Sequence, residues 1–466
     1  MDFPAHPNLT DAYLEGFGLT NGASVRLARP TSPEGVAKAF GLARKDNRRV
    51  VLRGGGRSYG DQSLLGEALA IDVSRMKSVF NWDTAEGLLD IQAGATLEDV
   101  WRFVLEDGWF LPVTPGTSRA TLAGALASNV HGKNNLLAGT LGEWVEEIEV
   151  VLPDGSLRTV SKDDSRFWGF VGGLGLLGAI VRVKLRLKRV VSGEVDTVVR
   201  QVPDWDAQFA AFEEFAKADY TVSWVDGFSS GRGIFTAGWH VPVAEASTLR
   251  AEAQGISPAI GLFSKSEAWR VLQHLTSRSD MRVLSALRYR MGGFPTVQKS
   301  KRQTLAAFHY PLDYVPDWQR SYLPGGLVQF QAAVPRDEAR RVFQKQLELC
   351  QKARMEPYLV VMKRHRPDCA MLPYLVDGYS LALDLHRILS REEDLRRLYA
   401  EMAEVAIAAG GRVYLTKDAL LTPDQFSRCT PKGGLTRFRE LKKEIDPDGL
   451  LTSAQNERLR IATVRR

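Results

Sequence analysis

The chain has 466 residues, of which 44% are hydrophobic, 25% charged and 9% aromatic, proportions that are typical of soluble globular proteins and exclude a disordered or collagen-like chain. With 61 Lys and Arg against 55 Asp and Glu, the formal net charge is +6 at pH 7, which favours an anionic substrate or surface without indicating nucleic acid. Three cysteines without a C-x-x-C spacing and seven histidines without an i, i+3 or i, i+4 pair predict neither a disulfide framework nor a protein-bound metal.

The part of the chain up to about residue 190 reads as a succession of short strands with few helices. The predicted strands, each bounded by turn residues, are 49–55, 68–74, 87–94, 145–152 and 179–188. A Pro-Asp-Gly turn after the fourth predicts a hairpin with the following SLRTV. In the fifth, apolar and basic residues alternate strictly, which is typical of a strand with one buried face.

One amphipathic helix is predicted in this part, over residues 97–108. It follows Thr96, which forms a capping-box pattern with Asp99. Helical spacing places Val100, Phe103 and Val104 on its buried face.

From about residue 195 the predicted strands and helices become longer, which indicates a second lobe. Strand composition recurs in SWVDGF, GIFTAGWH, GLVQFQAAV, YLVVMKR and YSLALDL. A helix is predicted over residues 337–354 with Cys350 in the core, and another follows Ser390, capped by Glu393 and ending at Gly410. This order predicts an antiparallel sheet covered by helices.

A basic segment interrupts the second lobe. Residues 265–302 hold nine Lys and Arg against Glu267 and Asp280, with apolar and aromatic residues interleaved. The segment is either a solvated surface loop or a flap that touches anionic lipid or a phosphate.

Two glycine motifs have the form of known sites without their context. GGLGLLG, residues 172–178, matches a dinucleotide fingerprint, but neither a preceding strand nor a following helix is predicted. GRSYG, residues 56–60, matches a nucleophile elbow, but the sequence after Ser58 predicts no helix. A hydrolase that uses Ser58 and a binding protein without catalysis stay as alternatives.

A third interpretation takes RGGGRSYGD, residues 53–61, as a turn whose backbone approaches a ligand. Three consecutive glycines let main-chain N–H groups converge on a phosphate, and Arg57 adds positive charge. A second tract of small and polar residues, 115–134, allows a flat or extended cofactor to lie against the backbone.

These two tracts, followed in order by FVGGLGLLGAIVR, FHYPLD, LVQFQ and RVYLTKDAL, resemble the vanillyl-alcohol-oxidase type of FAD flavoproteins, also described by a PCMH-type FAD-binding domain. The resemblance runs from about residue 50 to residue 420. It implies an α+β, two-lobed PCMH-type FAD-binding fold with a substrate lobe of antiparallel sheet and helices. The expected boundaries are 1–194 for the FAD-binding domain, 195–412 for the substrate-binding domain, and 413–466 for a C-terminal return to the FAD-binding domain.

The resemblance also implies the cofactor and its contacts. FAD is expected to be non-covalent, because the glycine-rich turn lacks the histidine to which many relatives attach the flavin. The expected FAD contacts lie between Leu52 and Gln62 and in the later motifs: Arg53, Gly54, Gly55, Gly56, Arg57, Ser58, Tyr59, Gly60, Asp61, Gly116, Thr117, Thr121, Leu122, Ala123, Gly124, Ser128, Asn129, Val130, His131, Gly132, Ile180 and Tyr414.

Catalysis is assigned by the same resemblance to Lys417 and His131. Oxidation of a secondary alcohol requires a hydride to leave carbon while the hydroxyl proton leaves or is shared. Lys417 could stabilise the developing alkoxide as an ammonium or, if desolvated, accept the proton as a base. The substrate-binding residues implied are Tyr59, Lys133, His309, Gln329, Gln331, Lys363 and Lys417.

Within the family, the motifs are most similar to those of members that oxidise the C2 hydroxyl of a polyprenylphosphoryl-β-D-ribose to the 2-keto sugar, the first half of an epimerisation to an arabinose donor. This implies a separate NAD(P)H-dependent keto-sugar reductase as partner, peripheral contact with the inner membrane, and no nucleic acid. Ala382 stands where the mycobacterial members carry a cysteine, and His309 precedes Tyr310 in the reverse of their order. A soluble FAD-dependent sugar or alditol oxidase is therefore the alternative.

Localisation is predicted from the apolar runs. No stretch approaches about 18 uninterrupted apolar residues, and the first residues lack a signal-peptide profile. The expected location is the cytoplasm or the surface of the inner membrane.

Overall fold

The computed structural model describes residues 9–255, 259–260, 263–292 and 299–462. Within these ranges, no helix combines the length and the apolar character needed to cross a membrane.

The strands and helices of the described ranges are as follows. The strands are β1 Thr10–Glu15, β2 Gly22–Ala28, β3 Val50–Arg53, β4 Leu69–Asp72, β5 Val79–Asp83, β6 Leu88–Gln92, β7 Trp109–Phe110, β8 Val145–Val151, β9 Leu157–Ser161, β10 Ala179–Arg186, β11 Lys188–Arg189, β12 Glu194–Val202, β13 Tyr220–Val225, β14 Gly233–His240, β15 Ala259–Ile260, β16 Phe263–Ser264, β17 Lys299–Thr304, β18 Leu327–Pro335, β19 Leu359–His365, β20 Gly378–His386 and β21 Arg412–Val413. The helices are α1 Pro33–Lys45, α2 Leu97–Val104, α3 Leu122–Ala127, α4 Asn135–Ala138, α5 Phe167–Phe170, α6 Trp205–Glu214, α7 Ala268–Gln273, α8 Arg278–Met291, α9 Leu305–His309, α10 Arg336–Lys352, α11 Glu392–Ala408, α12 Pro423–Cys429, α13 Lys432–Ile445 and α14 Ala454–Leu459.

Two larger sheets and the short pair of β7 with β11 come from the first 190 residues. A four-stranded sheet has the order β1-β2-β4-β3, with parallel pairing of β4 to both β2 and β3. A five-stranded sheet, β5-β6-β10-β8-β9, is antiparallel throughout. The predicted hairpin is confirmed as β8 and β9, and the alternating strand is confirmed as β10, where Val181, Val183 and Leu185 are buried.

The later residues build an antiparallel sheet of eight strands, in the order β17-β12-β14-β13-β19-β20-β18-β21. It contains all five strands predicted from composition in this half of the chain. Helices α10 and α11 cover one face of this sheet. Because successive side chains of a strand point to opposite faces, every second residue of β18, β19 and β20 lies on the face that these helices do not cover. The predicted α+β class is confirmed.

The three larger sheets share one core. Ile71 on β4, Val183 on β10 and Phe330 on β18 belong to one continuous cluster of buried apolar side chains. Cys350 on α10 is fully buried in the same cluster, as its helical spacing predicts. Burying one side chain of the size of Phe330 contributes roughly 2 kcal/mol, so the shared cluster holds the sheets in a defined relative position.

Two details of the predicted helices are wrong. The capping box of Thr96 and Asp99 is present, but α2 ends at Val104 and Phe103 is 46% exposed. The inward position belongs to Trp101, which continues the i, i+3, i+4 spacing of the buried stripe. Helix α11 begins at Glu392 without a side-chain cap, because Ser390 lies in the preceding 3₁₀ turn.

Both rejected motifs lie in the context that the sequence predicts. Residues 172–178 follow the short helix α5 and lead into strand β10, so they do not open a helix. Ser58 is followed by turns, and its Oγ lies 3.5 Å from Ser63 Oγ rather than beside a histidine. The geometry of a nucleophile elbow is therefore absent at Ser58.

The basic segment 265–302 is largely helical in its described part, which corrects the surface-loop interpretation. Helices α7 and α8 occupy it, and β17 follows. Residues 293–298, which include Phe294, lie outside the described residues.

Candidate active site

One cavity of about 830 Å³ lies between the glycine-rich turn after β3 and one face of the eight-stranded sheet. Its other walls come from residues 114–133, 174–180 and 414–417. The cavity therefore lies where the two predicted ligand-binding tracts meet the later sheet.

The sheet presents a row of paired residues to the cavity. Across neighbouring strands, Gln331 pairs with Ala382, Ala382 with Val361, and Val361 with Trp224. Paired residues in antiparallel strands point to the same face, and all four line the cavity. With strands about 4.8 Å apart, this row extends from Gln331 to Trp224 over roughly 14 Å, which suits an elongated substrate.

The glycine-rich turn packs so closely that its glycines have no room for a side chain. A Cβ on Gly54 would meet the Thr121 hydroxyl, and one on Gly55 would lie 2.5 Å from the Arg119 carbonyl oxygen. Gly56 has φ +62°, a conformation that L side chains rarely adopt. The turn and the 115–134 tract are thus held against each other, and both expose backbone to the cavity.

Most of the predicted site residues line this cavity. Those that do are Arg53, Gly54, Gly55, Gly56, Arg57, Ser58, Tyr59, Gly116, Thr117, Thr121, Ala123, Gly124, Ser128, Val130, His131, Lys133, Ile180, Gln329, Gln331, Lys363, Tyr414 and Lys417. The tertiary structure brings these residues to one place from six separated parts of the chain.

Three predicted cofactor contacts in or near the glycine tracts lie behind the cavity wall. Asp61 is held by two hydrogen bonds from Arg458, of 2.8 and 2.9 Å. Gly60 packs against the backbone of Asp418, and Leu122 is fully buried in the core. The structure therefore assigns these three residues to packing behind the turn and not to the cavity surface.

Three further predicted residues are also turned away. Asn129 accepts a hydrogen bond from the Gly142 amide, and Gly132 packs against Asn134 and Thr114. His309 lies one layer deeper than predicted, with its Nδ1 2.7 Å from Thr114 Oγ1 and its ring against Tyr220. Because α9 directs Phe308 into the cavity, the neighbouring His309 points into the core.

Several buried polar atoms that face the cavity have no protein partner within the described ranges. They are Arg57 Nε, Tyr59 Oη, Gln62 Oε1, His131 Nδ1 and Thr416 Oγ1. An unpaired buried polar group is costly, so this lining fits a ligand that carries both donors and acceptors. The close-packed glycines and the alanines of α3 carry no large side chains, so they leave a surface against which a flat cofactor can lie.

The proposed catalytic lysine lies above an aromatic ring and near a buried carboxylate. Lys417 Nζ is 3.9 Å from the centroid of the Tyr59 ring. Burial lowers the pKa of Lys417 to about 7, with a smaller lowering by Lys363, while the charge of Asp384 raises it. Both protonation states of Lys417 are therefore accessible near neutral pH.

Asp384 is a buried carboxylate near Lys417 that the sequence did not reveal. It is fully buried on β20, its Oδ1 accepts a hydrogen bond from Gln329 Nε2, and its Oδ2 has no partner among the described residues. Burial raises its pKa, and the hydrogen bond from Gln329 and the charge of Lys417 act in the opposite direction. Only the alternation of YSLALDL, which places Asp384 on the same face as Ala382, could have indicated it.

Two more lysines lie in the same part of the cavity. Burial lowers the pKa of Lys133 to about 7 and that of Lys363 to about 8. Lys133 Nζ donates to the Phe308 carbonyl oxygen, and neither lysine has a carboxylate partner in the described part of the chain. His131 lies beside them, with its Nε2 3.4 Å from Gln331 Nε2. Burial holds the pKa of His131 well below the ordinary value.

The far end of the cavity contains a residue pair that sequence reasoning also missed. Arg288 of α8 stacks on the Trp224 ring at 4.5 Å, and both residues line the cavity. The position of Arg288 in the basic segment was noted from the sequence, but Trp224 comes from strand β13, more than 60 residues earlier in the chain.

Comparisons with known proteins place both glycine-containing tracts within a known type of domain. Residues 25–161 match a family model described as an FAD binding domain. The chain is 27% identical to decaprenylphosphoryl-beta-D-ribose oxidase of Mycolicibacterium smegmatis over 469 residues, which cover 97% of this chain and 98% of that protein. An uncharacterized protein of Streptomyces coelicolor is 27% identical over 78% of this chain and 99% of its own length. The mitochondrial D-2-hydroxyglutarate dehydrogenase of Danio rerio is 30% identical over 36% of this chain and 33% of that protein.

Proposed function

Because the chain is a PCMH-type FAD flavoprotein, an FAD-dependent oxidoreductase that acts on a CH–OH group, we propose that it oxidises the C2 hydroxyl of a polyprenylphosphoryl-β-D-ribose to the 2-keto sugar. The relative that aligns over 97% of the chain is named for the oxidation of such a substrate. The FAD is proposed to be bound without a covalent link, since the turn over residues 53–61 contains no histidine.

The observation that carries this proposal is the charge of the cavity. Lys133 and Lys363 line it, and neither forms an ion pair with a carboxylate within the described ranges. Buried ammonium groups require an anionic partner to remain charged. A phosphate ester supplies that charge, whereas a free sugar or an alditol does not.

The cofactor is assigned to the end of the cavity formed by the glycine-rich turn. Gly54 to Arg57 and the 115–134 tract would hold its pyrophosphate and its flat ring against the backbone. When bound, FAD supplies the acceptor for a hydride from the carbinol carbon.

Lys417 is proposed to act on the substrate hydroxyl. Because burial lowers its pKa to about 7, a neutral amine is available to accept the hydroxyl proton as the hydride leaves. Asp384 then stabilises the ammonium that forms, through its buried carboxylate. Tyr59, beneath Lys417, fixes the position of the amine, and Gln331 lies within reach of His131 to orient the sugar.

The keto sugar that leaves this site is proposed to be reduced elsewhere. Epimerisation at C2 needs a hydride returned to the opposite face of the carbonyl, and the fingerprint-like motif at residues 172–178 of the described ranges leads into a strand and does not open a helix for a nicotinamide dinucleotide. A separate NAD(P)H-dependent keto-sugar reductase is therefore the proposed partner.

An anaerobic titration of the purified protein tests the proposal. We expect an absorbance spectrum of oxidised flavin, release of the flavin into solution on acid precipitation, and bleaching on addition of farnesylphosphoryl ribose. Bleaching by free ribose or by alditols, but not by the phosphoryl ribose, would support the soluble sugar or alditol oxidase instead. A colourless protein that FAD cannot reconstitute would contradict the assignment of the cavity.

A further inference from the structure

The surface of helix α8 departs from that of an ordinary helix packed on a globular protein. Its residues, all of which are described, include a single buried side chain, that of Ser285. Val283, Leu287 and Met291 are 58%, 48% and 79% exposed. An ordinary surface helix turns its apolar residues to the core and its charged residues to water, and α8 turns apolar residues outward.

The exposed apolar residues of α8 form one stripe. At about 100° per residue, Val283, Leu284, Leu287 and Met291 fall within an arc of about 100°. Ser285 lies on the opposite side, where the helix meets the protein, together with Arg278, which is paired with Glu356. The stripe therefore points away from the protein.

Basic residues flank the stripe. Arg290 lies at one edge of the arc and Arg288 lies at the other, whereas Arg282 lies about 100° beyond the edge, nearer to Arg278 on the opposite side. Neither Arg282 nor Arg290 has a carboxylate partner among the described residues. The arc contains one acid, Asp280, in the first turn of α8. Its carboxylate accepts a hydrogen bond from the hydroxyl of Ser277, the residue that caps the N-terminus of the helix.

The stripe lies beside the entrance of the cavity. Of the residues that line the cavity, those exposed at the protein surface are Arg288, Ala307, Pro311 and Tyr314. Helix α7 precedes α8 in the chain, and its Leu272 also lines the cavity. The cavity therefore opens between α8, α7 and the segment that follows α9.

We propose that the face formed by Val283, Leu284, Leu287 and Met291, with Arg288 and Arg290 at its two margins, docks on an anionic lipid bilayer and places the cavity entrance at the membrane surface. Apolar side chains flanked by arginines match a surface of acyl chains beneath negative headgroups. This inference rests on the proposed function, because a prenyl-linked phosphoryl sugar is itself anchored in a bilayer. A soluble sugar would give no reason to expose an apolar face at the entrance.

Co-sedimentation with vesicles tests the surface directly. The flavin-loaded protein is mixed with vesicles of phosphatidylcholine alone or of equal parts phosphatidylcholine and phosphatidylglycerol. We expect binding to the anionic vesicles that weakens as salt is added. The triple variant Val283→Ser, Leu287→Ser, Met291→Ser should bind roughly tenfold more weakly or worse, from the lost transfer of apolar surface, and Arg290→Glu should bind roughly tenfold more weakly.

The matched control replaces apolar side chains that are equally exposed but scattered elsewhere, Tyr13→Ser, Leu157→Ser and Val243→Ser. This control should bind vesicles like the unaltered protein. Equal vesicle binding by the stripe variant and the unaltered protein, or no binding to anionic vesicles at all, would overturn the docking surface.

The activity measured in each case separates this inference from the proposed function. None of the three residues replaced in the stripe variant lines the cavity. The variant should therefore retain flavin reduction by farnesylphosphoryl ribose free in solution. Loss of vesicle binding with retained reduction supports the docking surface. Failure of the unaltered protein to be reduced in solution would instead overturn the proposed function, whatever its binding to vesicles.

Discussion

At the scale of single residues, the chemistry of the site depends on charges buried together. Lys417, Lys363 and Lys133 share one end of the cavity, and burial lowers the pKa of each. Asp384 opposes this effect at Lys417. The protonation state of Lys417 is therefore set by two side chains from different strands and by the extent to which water is excluded.

The first prediction concerns the pH dependence of kcat/KM, which reports ionisation in the free enzyme. Since the neutral amine of Lys417 accepts the proton, kcat/KM should rise with pH through a midpoint near 7. Asp384→Asn should move that midpoint to lower pH, because the carboxylate stabilises the ammonium form. Asparagine keeps an oxygen that can accept from Gln329, so the packing should survive.

Stopped-flow flavin reduction across the pH range is the measurement. Lys417→Met should retain the flavin and lose about 10² to 10⁴ in the reduction rate. A rate that falls as pH rises would show instead that the ammonium of Lys417 is the active form and stabilises the alkoxide.

A second prediction at this scale concerns the lack of a thiol in the cavity. Ala382 lines the cavity between Gln331 and Val361, and no cysteine is part of the lining. An electrophile that requires a cavity thiol should leave the activity of the protein unchanged, although the exposed Cys369 becomes labelled. Ala382→Cys should become sensitive, as mass spectrometry of the modified peptide and residual activity would show; inactivation of the unaltered protein would contradict this.

At the scale of elements, the glycines of the turn over residues 53–61 determine whether this turn can pack against the tract over residues 115–134. Gly55 lies so close to the Arg119 carbonyl oxygen that a Cβ would approach it at 2.5 Å. That oxygen belongs to the backbone and cannot rotate away. The turn therefore requires glycine for the approach of two chain segments, in addition to any approach to the cofactor.

The third prediction follows for Gly55→Ala. Overpacking of this kind costs about 1–3 kcal/mol, and the displaced turn should bind FAD at least roughly tenfold more weakly. Gly66→Ala is the control, because a Cβ at Gly66 meets nothing within 4 Å. The ratio of flavin to protein absorbance and the melting temperature are the readouts, and full flavin occupancy in Gly55→Ala would contradict the expectation.

At the scale of the whole molecule, residues of α14 and the segment before it pack behind the glycine-rich turn that lines the cavity. Arg458 of α14 donates to both oxygens of Asp61 and, at 2.9 Å, to Asp418, so it ties the turn after β3 to the segment that carries Lys417. Leu451 forms a parallel bridge with Val50. These contacts support a proposed C-terminal return to the FAD-binding domain over residues 413–466.

The fourth prediction tests this tie. Arg458→Met leaves Asp61 and the fully buried Asp418 without their cation, and breaking a buried pair costs about 3–5 kcal/mol. The control is Arg428→Met, whose partners Glu404 and Asp424 are largely exposed, so its cost should be about 0–1 kcal/mol. Urea unfolding measures both, and equal losses would contradict the structural role of Arg458.

The sequence alone indicated several strands and helices, because these depend on local pattern, and the class of cofactor followed from the resemblance of its ordered motifs to a known family. Alternation in residues 179–188, the hairpin after residue 152 and the glycine-rich turn can each be interpreted from neighbouring residues. The motifs, taken in order, led to the α+β fold and to FAD, which the comparisons support.

Only the tertiary structure decided which residues share the cavity. His309 was expected at the substrate and points into the core, because one residue along a helix changes the direction of the side chain by about 100°. Asp384 and Trp224 were missed, because their approach to Lys417 and Arg288 depends on the order of strands in the sheet. Exposure of the stripe on α8 was also beyond the sequence, because an apolar helical stripe shows its periodicity but not whether protein covers it.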